Sequence, residues 1–116
     1  MTNRVIFPQI NLVEKSEDEV VLSLTIPADL YYFEGHFPEA PILAGVVQVH
    51  WAMLYIQEHF NLNIEQHLSV DALKFQVIIA PEYQVKLTLK KMSETKVSFN
   101  YSSEHGAHTS GRVVYS

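Results

Sequence analysis

Residues 34–60, EGHFPEAPILAGVVQVHWAMLYIQEHF, carry the strongest structural signal in the sequence. The first part of this stretch is a short segment in which Pro38 and Pro41 keep the backbone extended, because a residue that precedes proline is pushed out of the α region. Its second part has the residue pattern of a helix. The stretch therefore predicts a stiff loop carrying one histidine, His36, which leads into a helix carrying another, His50.

The helix is predicted from about Gly45 to His59 or Phe60, with apolar residues on nearly all of its sides. These residues are Val46, Val47, Val49, Trp51, Met53, Leu54 and Ile56. A helix of this kind is normally buried in a core rather than laid on a surface. Because the rest of the chain is rich in strand patterns, we predict an α+β architecture in which an antiparallel sheet curls around one long helix.

Strand patterns occupy most of the remaining sequence, as an alternation of apolar and polar residues. Three segments show the alternation most clearly, residues 20–26, 84–90 and 96–102. The short segment KMSET, residues 91–95, joins the last two and predicts a hairpin. Weaker patterns predict three more strands, at residues 4–13, 68–79 and 109–115. Pro8 marks the first of these as an edge or bent strand.

Length and composition restrict the class of protein. The 116 residues suffice for a single domain, residues 1–116, and the share of hydrophobic residues, 47%, is ordinary for a soluble globular chain. The sequence lacks an apolar run near the roughly 18 residues of a membrane span, and its N-terminus lacks a signal-peptide pattern, so we expect a cytoplasmic protein. The absence of cysteine excludes disulfide and thiolate chemistry. A net charge of −5 argues against a nucleic-acid partner, because such proteins need a basic surface.

Two segments resemble the signature of a known enzyme family. GHFPEAPILAGVVQVHWAM, residues 35–53, is similar to the active-site motif of the hotdog-fold β-hydroxyacyl-[acyl-carrier-protein] dehydratases. It matches that motif at Gly35, His36, Phe37, Pro38, Pro41, Ile42, Gly45 and Val46. SVDALKFQVIIAPEYQVKLTL, residues 69–89, resembles a second motif of the family. It matches at Asp71, Lys74, Phe75, Pro81, Val85 and Leu87.

The resemblance implies a hotdog fold and the elimination of water from a 3-hydroxyacyl thioester. It implies that His36 is the base and that the Gly45 amide stabilises the thioester oxygen. Elementary chemistry agrees, because imidazole titrates near neutral pH and the first amide of a helix has no intrahelical acceptor. Substrate-binding residues implied by the match are Phe37, Pro38, Val46, Val49 and Met53.

The resemblance also implies the assembly and the partner. We expect an obligate homodimer with the acyl tunnel between its subunits, in which His36 of one chain faces position 50 of the other. The implied partner is an acyl carrier protein that delivers the substrate as a thioester. No cofactor and no metal are expected, and the pair His105 and His108 is weak evidence for a metal site without a third ligand nearby.

Two positions depart from the family pattern. Ala44 stands where the family usually has proline, and His50 stands where it carries a catalytic Glu or Asp. His50 replaces that carboxylate as the acid only if it can donate a proton to the departing hydroxyl, and the alternative is a helix histidine without a catalytic role. The spacing does not select among three nearby carboxylates that could supply the acid instead, Glu34, Glu39 and Glu58.

The sequence is therefore compatible with three functions. The first is a 3-hydroxyacyl-[acyl-carrier-protein] dehydratase of fatty-acid or polyene-type biosynthesis, in which His36 and His50 act with Gly45. The second is a catalytically degenerate hotdog subunit that binds an acyl carrier or partners an active dehydratase. The third is a hotdog acyl thioesterase, which needs a carboxylate to activate water.

Overall fold

A computed structural model describes residues 4–34, 41–60 and 68–115 of the chain. Within these ranges it contains one helix, one 3-10 turn and a sheet. In chain order the elements are β1 Gln9–Lys15, β2 Glu19–Thr25, the 3-10 turn Tyr31–Phe33, α1 Gly45–Phe60, β3 Leu68–Phe75, β4 Gln84–Ser93, β5 Lys96–Ser103 and β6 Gly106–Tyr115. The sheet has six strands in the order β1-β2-β4-β5-β6-β3, and every neighbouring pair is antiparallel. The structure thus has the predicted α+β architecture.

The central strands bury one face each, as their alternation predicts. On β2, β4 and β5 three alternate side chains of each strand point into the core and are at most 2% exposed. These side chains are Val20, Leu22, Leu24, Val85, Leu87, Leu89, Val97, Phe99 and Tyr101. The predicted hairpin is also confirmed, because β4 and β5 are joined only by the turn at Glu94 and Thr95.

The two edge strands differ in their bounds from the prediction. β1 begins at Gln9 rather than at residue 4, because the chain before it turns toward the helix, where the Ile6 carbonyl accepts a hydrogen bond from Trp51 Nε1 at 3.0 Å. β3 ends at Phe75 rather than at residue 79. Beyond it the Val77 amide still donates to the Ala107 carbonyl, at 3.1 Å, before the chain leaves the sheet.

Helix α1 has the predicted bounds but not the predicted burial on all sides. Trp51, Ala52 and Ile56 are fully buried against the sheet. Val46 is 77% exposed, and His50 one turn further along is exposed as well. The expectation of burial all round is therefore wrong for a single chain, because the sheet covers only one side of the helix.

Large apolar side chains are exposed at both edges of the sheet. Near β1 they are Ile6, Phe7, Ile10, Leu12 and Val13, and on β3 and the segment after it they are Leu73, Phe75, Val77 and Ile78. In the ranges that the structure covers, no helix combines the length and the apolar character needed to cross a membrane.

Candidate active site

The first residue of helix α1, Gly45, lies against the ring of Phe75 on the neighbouring edge strand. A β-carbon at position 45 would come within 2.5 Å of Phe75 Cε1, so the ring occupies the space that any other side chain would need. The amides of Val47 and Gln48 both donate to the Ala44 carbonyl, at 3.1 and 3.3 Å. The Gly45 amide makes no backbone hydrogen bond to any residue in the described ranges. It therefore has the properties of an oxyanion donor, an open N–H at the positive end of a helix dipole.

Three of the predicted site residues, His36, Phe37 and Pro38, lie outside the described residues, and so does Glu39. The structure does describe the residues on either side of that segment. Before it, Phe33 is buried and the Glu34 amide donates to the Tyr31 carbonyl at 3.0 Å. After it, the Leu43 amide donates to the Ile79 carbonyl at 2.8 Å. Both flanks are thus tied to other parts of the protein.

The other predicted site residues form one stripe along the helix. Val49, His50 and Met53 follow Val46 by three, four and seven residues, which places all four on one side of an α-helix next to Gly45. Val46 and His50 are exposed, whereas Val49 and Met53 are half-buried against the core. The structure thus brings an imidazole, three apolar side chains and an open amide together on one surface.

The two candidate carboxylates that the structure describes do not pair with His50. No carboxylate within the described part of the chain lies within 4.0 Å of the His50 ring nitrogens. Glu58 lies two turns further along the helix. There, burial and, to a lesser extent, the charge of Glu58 raise the pKa of Tyr55 to about 12. Glu34 is exposed at the end of the 3-10 turn.

A buried polar network beneath the helix start was not predicted from the sequence. Gln48, 4% exposed, donates from Nε2 to the Leu43 carbonyl at 3.0 Å, and its Oε1 accepts the Thr109 hydroxyl. The Tyr101 hydroxyl donates to the Gln48 backbone carbonyl at 2.7 Å. Burial raises the pKa of Tyr101 well above its usual value, and nearby Tyr55 adds to the shift, so Tyr101 remains a donor throughout the physiological range. The one feature of the sequence that could have indicated this network is Gln48, a polar residue among the apolar residues of the helix.

His105 and His108 serve different purposes. Tyr101 pairs with Thr109 and Ser102 pairs with Ala107, so His108 is an extra residue on β6, a bulge that turns its side chain inward. Its Nδ1 lies 2.9 Å from the Val77 carbonyl and its Nε2 lies 2.6 Å from Ser103 Oγ, which assigns the proton to Nδ1 in the neutral ring. His105 is exposed and stacks on the ring of Tyr83 at 4.0 Å.

Comparison with known proteins identifies the family and the fold of this chain. The family model ApeI-like, described as ApeI dehydratase, matches residues 12–112. A chain of the dehydratase heterocomplex ApeI:P from Xenorhabdus doucetiae superposes with a TM-score of 0.82 at 26% identity, over 94% of this chain and 97% of that one. The dehydratase domain of the CurF module of the curacin polyketide synthase, at 12% identity and a TM-score of 0.70, covers 98% of this chain and 44% of its own and shares the fold alone. These likenesses confirm the predicted hotdog fold.

The sequence relatives are also named as dehydratases. The 3-hydroxyacyl-[acyl-carrier-protein] dehydratase FabZ of Pseudothermotoga lettingae is 30% identical over 111 residues, which cover 89% of this chain and 75% of that protein. The FabZ of Streptococcus agalactiae is 28% identical over 85 residues, or 68% of this chain. The chain spans only 61% of the length of that relative.

Proposed function

The chain belongs to the ApeI-like dehydratase family, and on that basis we propose that it eliminates water from a 3-hydroxyacyl thioester to give a trans-2-enoyl thioester. The observation that carries the proposal is the start of helix α1, where the open amide of Gly45 adjoins the stripe that holds His50. A thioester oxygen at that amide would be stabilised as negative charge develops on it. The apolar members of the stripe suit an acyl chain.

Each group has one step in the proposed reaction. The His36 imidazole takes a proton from C2, and the resulting negative charge is held on the thioester oxygen by the Gly45 amide. His50 gives a proton to the C3 hydroxyl, which leaves as water while the double bond forms between C2 and C3. In this scheme His50 must be protonated when substrate binds. His50 is exposed in the single chain, so its ring is open to contact with a substrate or a second subunit.

We further propose that the working unit is a homodimer whose active sites lie between subunits. The support is the exposed apolar side chains of β3 and the segment after it, on the edge that carries Phe75 and hence adjoins Gly45. A second chain on this edge would also cover Val46, which is 77% exposed in the single chain. The substrate would arrive on an acyl carrier protein in fatty-acid or polyene-type biosynthesis in the cytoplasm.

A second candidate function rests on His50 itself. The family resemblance places a carboxylate at this position, and an imidazole there is compatible with a subunit that has lost turnover. One solved relative is named as part of a dehydratase heterocomplex. In this alternative the chain holds an acyl carrier or supports a different, active dehydratase subunit.

The test is an assay with synthetic 3-hydroxyacyl thioesters that follows enoyl formation and thiol release in the same sample. A dehydratase forms the enoyl product without thiol, and a thioesterase releases thiol without enoyl. A degenerate subunit does neither alone and raises the turnover of an active dehydratase to which it binds. Enoyl formation by the purified chain supports the first proposal, and its absence at every chain length tried contradicts it.

A further inference from the structure

We infer that Gln48 is a positioning residue that fixes the Gly45 amide in the orientation needed to bind the thioester oxygen, an inference that rests on the proposed function of that amide. Gln48 follows Gly45 by three residues, and its side chain reaches back to the carbonyl of Leu43, two residues before Gly45. This hydrogen bond therefore closes a small ring of chain around the Ala44–Gly45 peptide, whose N–H is the proposed oxyanion donor.

The same side chain ties that ring to the sheet. Gln48 Oε1 accepts the hydroxyl of Thr109 on β6, and in the β3–β6 ladder Thr109 is paired with Phe75. The ring of Phe75 in turn lies against Gly45. One pair of neighbouring residues on the sheet thus holds the helix start in two ways, by a hydrogen bond through Gln48 and by direct packing on Gly45.

The network uses both polar atoms of the Gln48 side chain, Nε2 and Oε1, and is almost wholly buried. Gln48 and Thr109 are 4% and 1% exposed, and none of the buried side-chain nitrogen and oxygen atoms in the described part of the chain lacks a hydrogen-bond partner. An apolar residue of similar length would fill the same space but would leave the Leu43 carbonyl without this donor. Filling the core therefore does not require an amide at this position, whereas holding the Leu43–Gly45 segment in one orientation does.

The test combines turnover with a direct view of the Gly45 amide. Ala44–Gly45 is the only Ala-Gly pair in the sequence, so labelling alanine carbonyls with ¹³C and glycine nitrogens with ¹⁵N selects the Gly45 amide as a single NMR signal. The variants are Thr109→Val, which removes only the hydroxyl, Gln48→Met, which removes the amide at similar length, and the double variant. Gln57→Met is the matched control, a half-buried glutamine on the same helix.

If Gln48 positions the amide, Thr109→Val and Gln48→Met each move or broaden the Gly45 signal, whereas Gln57→Met leaves it in place. Because a small misplacement of a catalytic group is costly, we expect kcat to fall about 10- to 100-fold with KM nearly unchanged. The double variant should lose little more than Gln48→Met alone, since both changes break one network. The ¹⁵N signals of the other glycines show whether each variant is still folded.

The inference is overturned if folded Thr109→Val and Gln48→Met proteins keep the Gly45 signal and kcat of the parent. It is also overturned if their losses track only the fraction of unfolded protein, which would be a packing role. An inactive parent protein would contradict the proposed function but would leave the NMR comparison to decide whether Gln48 holds the amide.

Discussion

At the scale of single residues, the structure explains why position 45 is glycine. A β-carbon at position 45 would come within 2.5 Å of the Phe75 ring, so the close contact between helix start and edge strand depends on the missing side chain. Phe75 is 52% exposed in the single chain, so a methyl group at position 45 would have to displace an edge-strand side chain rather than backbone.

Substituting Gly45→Ala should lower the free energy of unfolding by about 1–3 kcal/mol, because the new methyl group overpacks the contact with Phe75. In a Phe75→Ala background the same substitution should cost much less, since the obstructing ring is gone. Urea unfolding of the four proteins measures both costs. An equal cost in the two backgrounds would show that the Phe75 ring is not what excludes a side chain at position 45.

His50 is tested by comparing glutamine and glutamate at its position. If His50 is the acid, His50→Gln should nearly abolish turnover, and the parental activity should fall as the imidazole loses its proton with rising pH. His50→Glu should preserve or raise turnover and shift the pH profile. A degenerate subunit would instead be inactive as the parent and gain activity with glutamate. Parental turnover and an unchanged pH profile in His50→Gln would exclude His50 as the acid.

Sequence reasoning reached some of these residues and not others, for physical reasons. Gly45 could be predicted because the start of a helix has open amides wherever it lies. The hydrogen bonds of Gln48, on which its proposed role rests, could not, because its partners Leu43 and Thr109 come together only through the tertiary fold. The exposure of His50 was likewise hidden, because a helical pattern does not reveal which side the sheet covers.

At the scale of elements, strands that bury one face were predicted well and edge strands less well. Alternation located β2, β4 and β5 because their inward side chains are all buried. Every residue of β1 is exposed, so burial does not fix its bounds, and its apolar residues do not alternate regularly. The bulge at His108 similarly reverses a side chain in a way that a strict two-residue period cannot predict.

The C-terminal end of helix α1 should make stability depend on pH. Burial lowers the pKa of His59, Glu58 opposes the shift, and Lys15 adds to it. The unfolded chain, with an ordinary histidine pKa of about 6.5, therefore binds the proton more readily, and stability is lost as pH falls through that value toward the lower folded pKa. Replacing His59→Gln should make the free energy of unfolding less sensitive to pH as the pH falls through the ordinary histidine pKa of about 6.5. Identical pH dependence in parent and variant would contradict this assignment.

At the scale of the whole molecule, we propose that the active site lies between two chains of a homodimer. Apolar side chains are exposed on both sheet edges, and Gly45 packs against the β3 edge through Phe75. We therefore propose that the β3 edge, and not the β1 edge, forms the dimer. Nothing in the sequence alone distinguished the two edges, because both carry apolar residues.

Placing a charge on each edge tests this choice. Ile78→Lys, at a side chain 55% exposed just after β3, should convert the dimer to monomers at micromolar concentration and remove turnover with it. Leu12→Lys, at a side chain 52% exposed on β1, is the matched control and should remain an active dimer. Sedimentation and the enoyl assay measure both properties. A fully active monomer, or dissociation by Leu12→Lys alone, would refute the proposed interface.

The central claim is that this chain is a dehydratase whose base is His36, and the most direct measurement is the rate of enoyl formation by the parent and by His36→Ala. Circular dichroism and sedimentation of both proteins serve as the folding control. Loss of the general base should lower the rate by about 10²–10⁴-fold while the variant stays folded and dimeric. A folded His36→Ala protein that keeps more than about a third of the parental rate would contradict the account, because such a rate leaves no room for a general-base contribution of that size.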